Sequence, residues 1–138
     1  MTTADIGAGS GILTICAVKL GAEKAYARDI DPAVIEEVNK NFELNGLDPE
    51  KIDLATGDLL KGFRHRADLL TANILFDPLT TMLSEVPRVI GREGVAVFSG
   101  MLLTERERFM KALDEAKMIP LRELVKGEWW GVAAKAAS

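Results

Sequence analysis

The 138 residues predict an α/β fold: a mostly parallel sheet covered by helices on both faces. Three observations carry that reading. β-prone stretches alternate with stretches of helical spacing, two helices open on the same Asp-Pro step, and a glycine-rich loop joins the first strand to the first helix. The length fits one domain over residues 1–138, and no linker or internal repeat divides it. Hydrophobic residues at 48% and charged residues at 28% are ordinary globular usage, which excludes disorder, collagen and a disulfide scaffold. A net charge of −4 weighs against a protein held to nucleic acid by bulk electrostatics. One cysteine, Cys16, cannot make an internal disulfide, and no apolar run is long enough for a membrane span. A cytoplasmic protein with no membrane attachment is expected.

Thr2–Ile6 is short, β-prone and followed by glycines, so it reads as a strand running into a loop. The almost continuous apolar run over 12–20, stopped by Gly21, predicts a buried helix with Cys16 in the core. Residues 24–30 form the second strand. Asp31 then offers an N-cap carboxylate, and Pro32 sits at the first helical position, where its missing N–H costs nothing. Val34, Ile35, Val38 and Phe42 recur at helical spacing until Asn45-Gly46 stops the helix. Residues 52–55 and 67–72 are the third and fourth strands, the latter ending at Asn73. Asp77-Pro78 repeats the capped start, with Leu79, Met82, Leu83, Val86 and Ile90 as its buried stripe, and 94–99 is the fifth strand. Thr104 with Glu107 three residues on fits a capping box for a helix whose apolar face is Phe109, Leu113 and Ala116. After Pro120, residues 121–125 and 129–134 flank Lys126-Gly127-Glu128 as a terminal hairpin, an antiparallel edge added to the sheet.

The candidate site starts at Asp5-Ile6-Gly7-Ala8-Gly9-Ser10-Gly11. Glycines there let the backbone turn sharply and approach a ligand, and the helix that follows offers N–H groups at its start. Asp29, at the tip of the second strand, stands where doubly wound nucleotide folds grip ribose hydroxyls. The spacing Gly7-x-Gly9-x-Gly11 is not that of pyrophosphate binders. Asp5 would repel a pyrophosphate yet attract the amino group of a cationic amino-acid moiety. S-adenosylmethionine has that form and is the expected cofactor, with S-adenosylhomocysteine as product. Asp58, in Gly57-Asp58-Leu59-Leu60, is placed to accept from an exocyclic adenine amine; a solvated loop acid or helix cap is the alternative. Asn73 lies outside the carboxyl end of the fourth strand, where open parallel sheets bind ligands. Its amide oxygen suits a substrate amine and Phe76 would wall the site, with loop-end packing as the alternative for both.

Asp5-x-Gly7-x-Gly9-x-Gly11, Asp29-Ile30-Asp31-Pro32, Asn41-x-x-x-Asn45-Gly46, Gly57-Asp58 and Ala72-Asn73-Ile74-Leu75 together resemble class I S-adenosylmethionine-dependent methyltransferases. More narrowly, Asn73-Ile74-Leu75-Phe76-Asp77-Pro78-Leu79, Ser99-Gly100-Met101-Leu102 and Gly127-Glu128-Trp129 resemble the PrmA family, whose enzymes methylate amino groups of ribosomal protein L-eleven. The resemblance implies a Rossmann-like fold of seven strands, in the order 3-2-1-4-5-7-6 with the last antiparallel. It implies Asp5 and the loop of Gly7, Ala8, Gly9 and Gly11 around the methionine tail, and Asp29 beside Ile30 at the ribose. Asp58 and Leu59 would meet the adenine, and Asn73 the target amine beside the methyl group. Family members carry a further N-terminal recognition domain, a linker and a helix closing over the cofactor. This chain begins at the first strand, so a minimal form, a truncated product or a relic is expected. Ile74-Leu75 stand where many nucleic-acid amine methyltransferases have two prolines, which favours a protein or small-molecule amine over a base.

The expected function is therefore transfer of a methyl group from S-adenosylmethionine to an acceptor amine, on a protein of ribosomal type. In-line displacement needs alignment rather than a metal or covalent nucleophile, and no metal is expected. The alternatives are a non-catalytic cofactor-binding module, working with a separate recognition subunit or as a homodimer, and an RNA or small-molecule methyltransferase. The glycine spacing disfavours a nicotinamide-dependent oxidoreductase. His65, in Arg64-His65-Arg66, reads as an exposed loop residue rather than a general base. Trp129 and Trp130 alternate faces in a strand, so one should pack inward and the other stand exposed.

Overall fold

The structure, a computed structural model, describes residues 1–137. Its elements are β1 (Thr2–Ile6), α1 (Ile12–Lys19), β2 (Lys24–Asp29), α2 (Pro32–Leu44), β3 (Ile52–Thr56) and β4 (Leu69–Asn73). These are followed by α3 (Phe76–Met82), α4 (Val86–Ile90), β5 (Val95–Leu102), α5 (Arg106–Glu115), β6 (Met118–Lys126) and β7 (Trp129–Ala136). The strands form one sheet in the order β3-β2-β1-β4-β5-β7-β6. All pairings are parallel except those of β7, which runs against both β5 and β6. The mostly parallel sheet and its antiparallel hairpin are as expected. No helix is long and apolar enough to cross a membrane, among the described residues.

The helices divide between the faces by sequence half. Asp5, Ala27 and Thr71 are partners across β1, β2 and β4 and so share one face. On that face α1 and α2 close a small core of Ala8, Ala27, Val38 and Phe42. On the opposite face Ala4, Leu70, Phe98 and Trp130 join α3, α4 and α5 in the larger core. Phe109 of α5 sits at its centre, with ring centroids 5.5 Å from Phe98, 5.8 Å from Trp130 and 6.2 Å from Phe76, all edge-to-face. Such geometry sets the positive ring edge against the negative ring face.

The α2 start matches its expectation: Asp31 Oδ1 accepts the Ala33 N–H at 2.9 Å, and Pro32 is the first helical residue. Three expectations are corrected. The 12–20 run forms a helix but not a buried one; Thr14 is its buried side chain, Ile12, Leu13 and Leu20 are exposed, and Cys16 is exposed rather than core. When every position is apolar, periodicity no longer marks which side faces the sheet. Asp77 is not an N-cap: the helix starts at Phe76, because the Leu75 carbonyl already accepts the Leu79 N–H at 3.1 Å. The buried stripe from Leu79 to Ile90 holds, but a 3₁₀ turn at Leu83–Glu85 divides it. Pro87 has no N–H to offer the Leu83 carbonyl one turn back. The Thr104–Glu107 box is likewise displaced; Glu105 Oε1 accepts the Leu102 N–H at 2.9 Å, since β5 runs on to Leu102.

Phe109 is completely buried among three aromatic rings, so Phe109→Ala should lower unfolding free energy by about 3–5 kcal/mol. Urea denaturation followed by tryptophan fluorescence measures it.

Candidate cofactor and acceptor site

The carboxyl ends of β1, β2 and β4 bring the predicted residues to one edge of the sheet. Gly7 and Ala8 both donate their N–H groups to the Arg28 carbonyl, at 2.8 and 2.9 Å, which ties the glycine loop to β2. Asp29 takes the next donor: its Oδ2 accepts the Gly9 N–H and its Oδ1 the Asp31 N–H, each at 3.1 Å. One carboxylate thus joins the loop to the start of α2. Gly7 has φ +78°, and a β-carbon there would overlap Cγ2 of Ile74, so a larger residue would be strained and would have to displace that side chain.

Asp5 lies beneath the loop, 3% exposed. Thr14 Oγ1 donates to its Oδ2 at 3.1 Å and Thr71 Oγ1 to its Oδ1 at 3.2 Å. Burial pushes the Asp5 carboxyl above the usual range and the nearby Asp29 charge adds to the rise, while the two threonine hydroxyls work against it. Composition and spacing did not single out either threonine. The alternation of β4, which puts Thr71 opposite Asp5, is the signal that would have found one of them.

Two clefts open along this edge. A cleft of about 460 Å³ is lined by Asp29, Ile30, Asp58, Leu59 and Ile74, among others, and its lining holds three aspartates with no lysine or arginine. That donor set suits hydroxyls, amines and positive charge, and it is hostile to phosphates. The apolar Ile30, Leu59 and Ile74 give flat sides for a ring. S-adenosylmethionine, with a diol, an adenine amine and cationic centres, fits these residues. Asp58 faces the cleft while its Oδ2 accepts from Lys61 Nζ at 3.0 Å. Leu59 adopts φ +53°, a left-handed conformation that costs a leucine about 1–2 kcal/mol and is kept beside the candidate adenine position. Arg28, missed in the sequence, braces this loop from below. It pairs with Asp53 at 3.1 Å, lies over the Tyr26 and Phe63 rings, and packs beneath Gly57.

The second cleft, about 980 Å³, runs from Asn73 and Ser99 across β5, β7 and β6 to Trp129 and Leu124. It lies on the part of the sheet that α1 and α2 leave bare. Ile74 and Pro78 line both clefts, so the two meet at the step after Asn73. Asn73 is exposed and borders the larger cleft. Phe76 borders neither; its ring turns toward Phe109, with the Arg108 guanidinium 4.7 Å above it. Trp129 is 57% exposed and Trp130 2%, the alternation expected of a strand. His65 is exposed, stacks on Tyr26 with centroids 4.2 Å apart, and lines neither cleft. No cluster of metal-ligating side chains occurs among the described residues.

The family described as Ribosomal protein L11 methyltransferase (PrmA) matches residues 1–137. A ribosomal protein L11 methyltransferase of Thermoanaerobacter pseudethanolicus is 36% identical over 132 residues, which are 95% of this chain and 42% of the relative. One from Streptococcus thermophilus is 36% identical over 129 residues, 93% of this chain and 40% of the relative. The chain therefore spans about two fifths of the length of the curated relatives it matches. The crystal structure of a ribosomal protein L11 methylase from Lactobacillus delbrueckii subsp. bulgaricus superimposes with a TM-score of 0.94 at 32% identity, covering 99% of this chain and 70% of that one. A tRNA m1G37 methyltransferase of M. jannaschii shares the fold, with a TM-score of 0.84 at 21% identity, covering 99% of this chain and 44% of that one.

The raised Asp5 pKa fixes the sign of one pH effect. The folded state holds this proton more tightly than the unfolded chain, so the contribution of Asp5 to stability falls as pH rises through the carboxylate range. Asp5→Asn keeps partners for both threonine hydroxyls and should raise the melting temperature at neutral pH. That gain should shrink toward zero as pH is lowered through the same range in thermal melts.

Proposed function

We propose that this chain, which belongs to the ribosomal protein L11 methyltransferase (PrmA) family, is a cytoplasmic S-adenosylmethionine-dependent methyltransferase domain acting on an acceptor amine, a ribosomal protein amine above all. The observation that carries the reading is the meeting of two clefts at Ile74. One is lined by carboxylates and the other is bordered by Asn73.

The residue roles follow from the chemistry of that edge. Asp29 would accept from the ribose hydroxyls while its other bonds hold the loop of Gly7, Ala8, Gly9 and Gly11 in place. Ile30 and Leu59 would sandwich the adenine, and Asp58 would accept from its amine. Asp5, buried beneath the loop, supplies negative potential toward the methionine end rather than a free acceptor, since both its oxygens are engaged. When bound, the cofactor supplies a methyl group already activated by the positive sulfur. Asn73 Oδ1 would accept a hydrogen bond from the target amine and point its lone pair along the line of displacement. A lysine-like amine with a reference pKa of about 10.4 must first lose its proton, which the apolar sides of the larger cleft favour by desolvation. Alignment of this kind is worth about 7–11 kcal/mol of barrier, enough to run the transfer without a metal. Phe76, packed on Phe109, would back the Asn73 loop instead of touching the acceptor.

The bare sheet face that leads away from Asn73 supports the reading that a further polypeptide, in cis or as a separate subunit, completes acceptor recognition.

Calorimetric titration with S-adenosylhomocysteine tests the cofactor assignment. Asp29→Ala should weaken binding by roughly 10-fold to 100-fold, the worth of hydrogen bonds to a charged group. Asn73→Ala should bind as the parent does and lose transfer to ribosomal protein L11, read as incorporation of a labelled methyl group. Binding that survives Asp29→Ala undiminished would remove the ribose assignment.

A further inference from the structure

The step from β4 into the loop, Asn73-Ile74, is gripped from two sides. Gly7 of the cofactor loop lies against the Ile74 side chain. Opposite it stands Gly100 of β5, with φ +91°. A β-carbon on Gly100 would come 2.6 Å from the Ile74 carbonyl oxygen, 2.8 Å from Asn73 Oδ1 and 3.1 Å from the Ile74 nitrogen. Real side chains do not approach so closely, so any other residue at 100 must displace this step.

The approach is built by a bulge. The β5–β7 register slips between Phe98 and Met101, leaving Ser99-Gly100 outside that ladder while Ser99 stays paired with Asn73 of β4. The Ser99 carbonyl still accepts the Ile74 N–H at 3.2 Å, so the bulge is bonded to the loop it presses. Behind it, β7 carries Gly131, where a β-carbon would lie 3.0 Å from the Phe98 carbonyl oxygen and 3.4 Å from Ser99 Cβ. The bulge is thus backed by one glycine and meets Asn73 with another.

We infer that Gly100 is a positioning residue for methyl transfer: the Ser99-Gly100 bulge sets the place and direction of Asn73 Oδ1 relative to the cofactor loop. This rests on the assignment of Asn73 to the acceptor amine. A bulge beside a site re-aims a side chain, and a misplacement of about 1 Å in a transfer that depends on alignment costs about 100-fold in rate. A merely structural glycine at a strand end would change stability and leave Asn73 where it is.

The test uses the full chain labelled with nitrogen-15. The side-chain amide resonances of Asn73, identified by their loss in Asn73→Ala, are compared in the parent, Gly100→Ala and Gly131→Ala. Gly100→Ala should shift the Asn73 amide pair and lower kcat for ribosomal protein L11 by about 100-fold, with S-adenosylhomocysteine affinity held within a few-fold. Gly131→Ala, which adds its methyl behind the bulge, should move the same resonances less. It keeps the question answerable if Gly100→Ala does not fold. Unchanged Asn73 resonances in a folded variant would overturn the inference. Failure of the parent chain to bind S-adenosylhomocysteine would instead overturn the methyltransferase reading, and the resonances, read without ligand, still decide whether the bulge holds Asn73.

Discussion

Ile74 fills the space that a side chain on Gly7 would need, and much of the site is arranged around that contact. The glycine loop can lie flat on β4 because residue 7 carries no β-carbon, and it stays there because Arg28 and Asp29 hold its amides from the other side. The contact also decides where the two clefts meet. With Ile74 wedged between the loop and β5, the carboxylate-lined cleft and the cleft at Asn73 share Ile74 and Pro78 as their common lining.

Charge follows the same plan. Asp5, Asp29, Asp58 and Asp77 gather at the carboxyl edge of the sheet, and the buried Asp5 is tolerated because two hydroxyls take up its oxygens. Cations at this edge lie outside the smaller cleft: Lys61 pairs with Asp58, and Arg28 lies under Gly57 with Asp53 as its partner. A negative cleft walled by apolar residues favours a cationic ligand before any one hydrogen bond is formed.

Most of the fold was legible because its punctuation is local. Asp31-Pro32 caps and starts α2 with its own atoms, Asn45-Gly46 ends it, and the strands alternate with helices at lengths that leave few topologies. The misreadings arise where one local signal competes with another or where the pattern is silent. Asp77 looks like a cap until the Leu75 carbonyl claims the Leu79 N–H, and the apolar run of α1 conceals that the sheet covers one of its sides. In the site, the acids and glycines announced themselves through spacing. Thr14, Thr71, Arg28 and the Ser99-Gly100 bulge did not: Thr14 reaches Asp5 from α1, and the others depend on register across β1, β2, β4, β5 and β7.

The division of helices by sequence half leaves two cores of unequal size, and the glycine loop belongs with the smaller. Ala8, Ala27, Val38 and Phe42 bury little beside the aromatic-rich cluster on the other face. Local opening follows local burial, and less apolar surface is buried to hold the α1–α2 layer closed than holds β4, β5 and α5. A ligand held at Gly9 and Asp29 would therefore act as a keystone for that layer. Part of its binding energy would go to the cohesion of that layer, through the carboxylate that already bonds the loop and the start of α2.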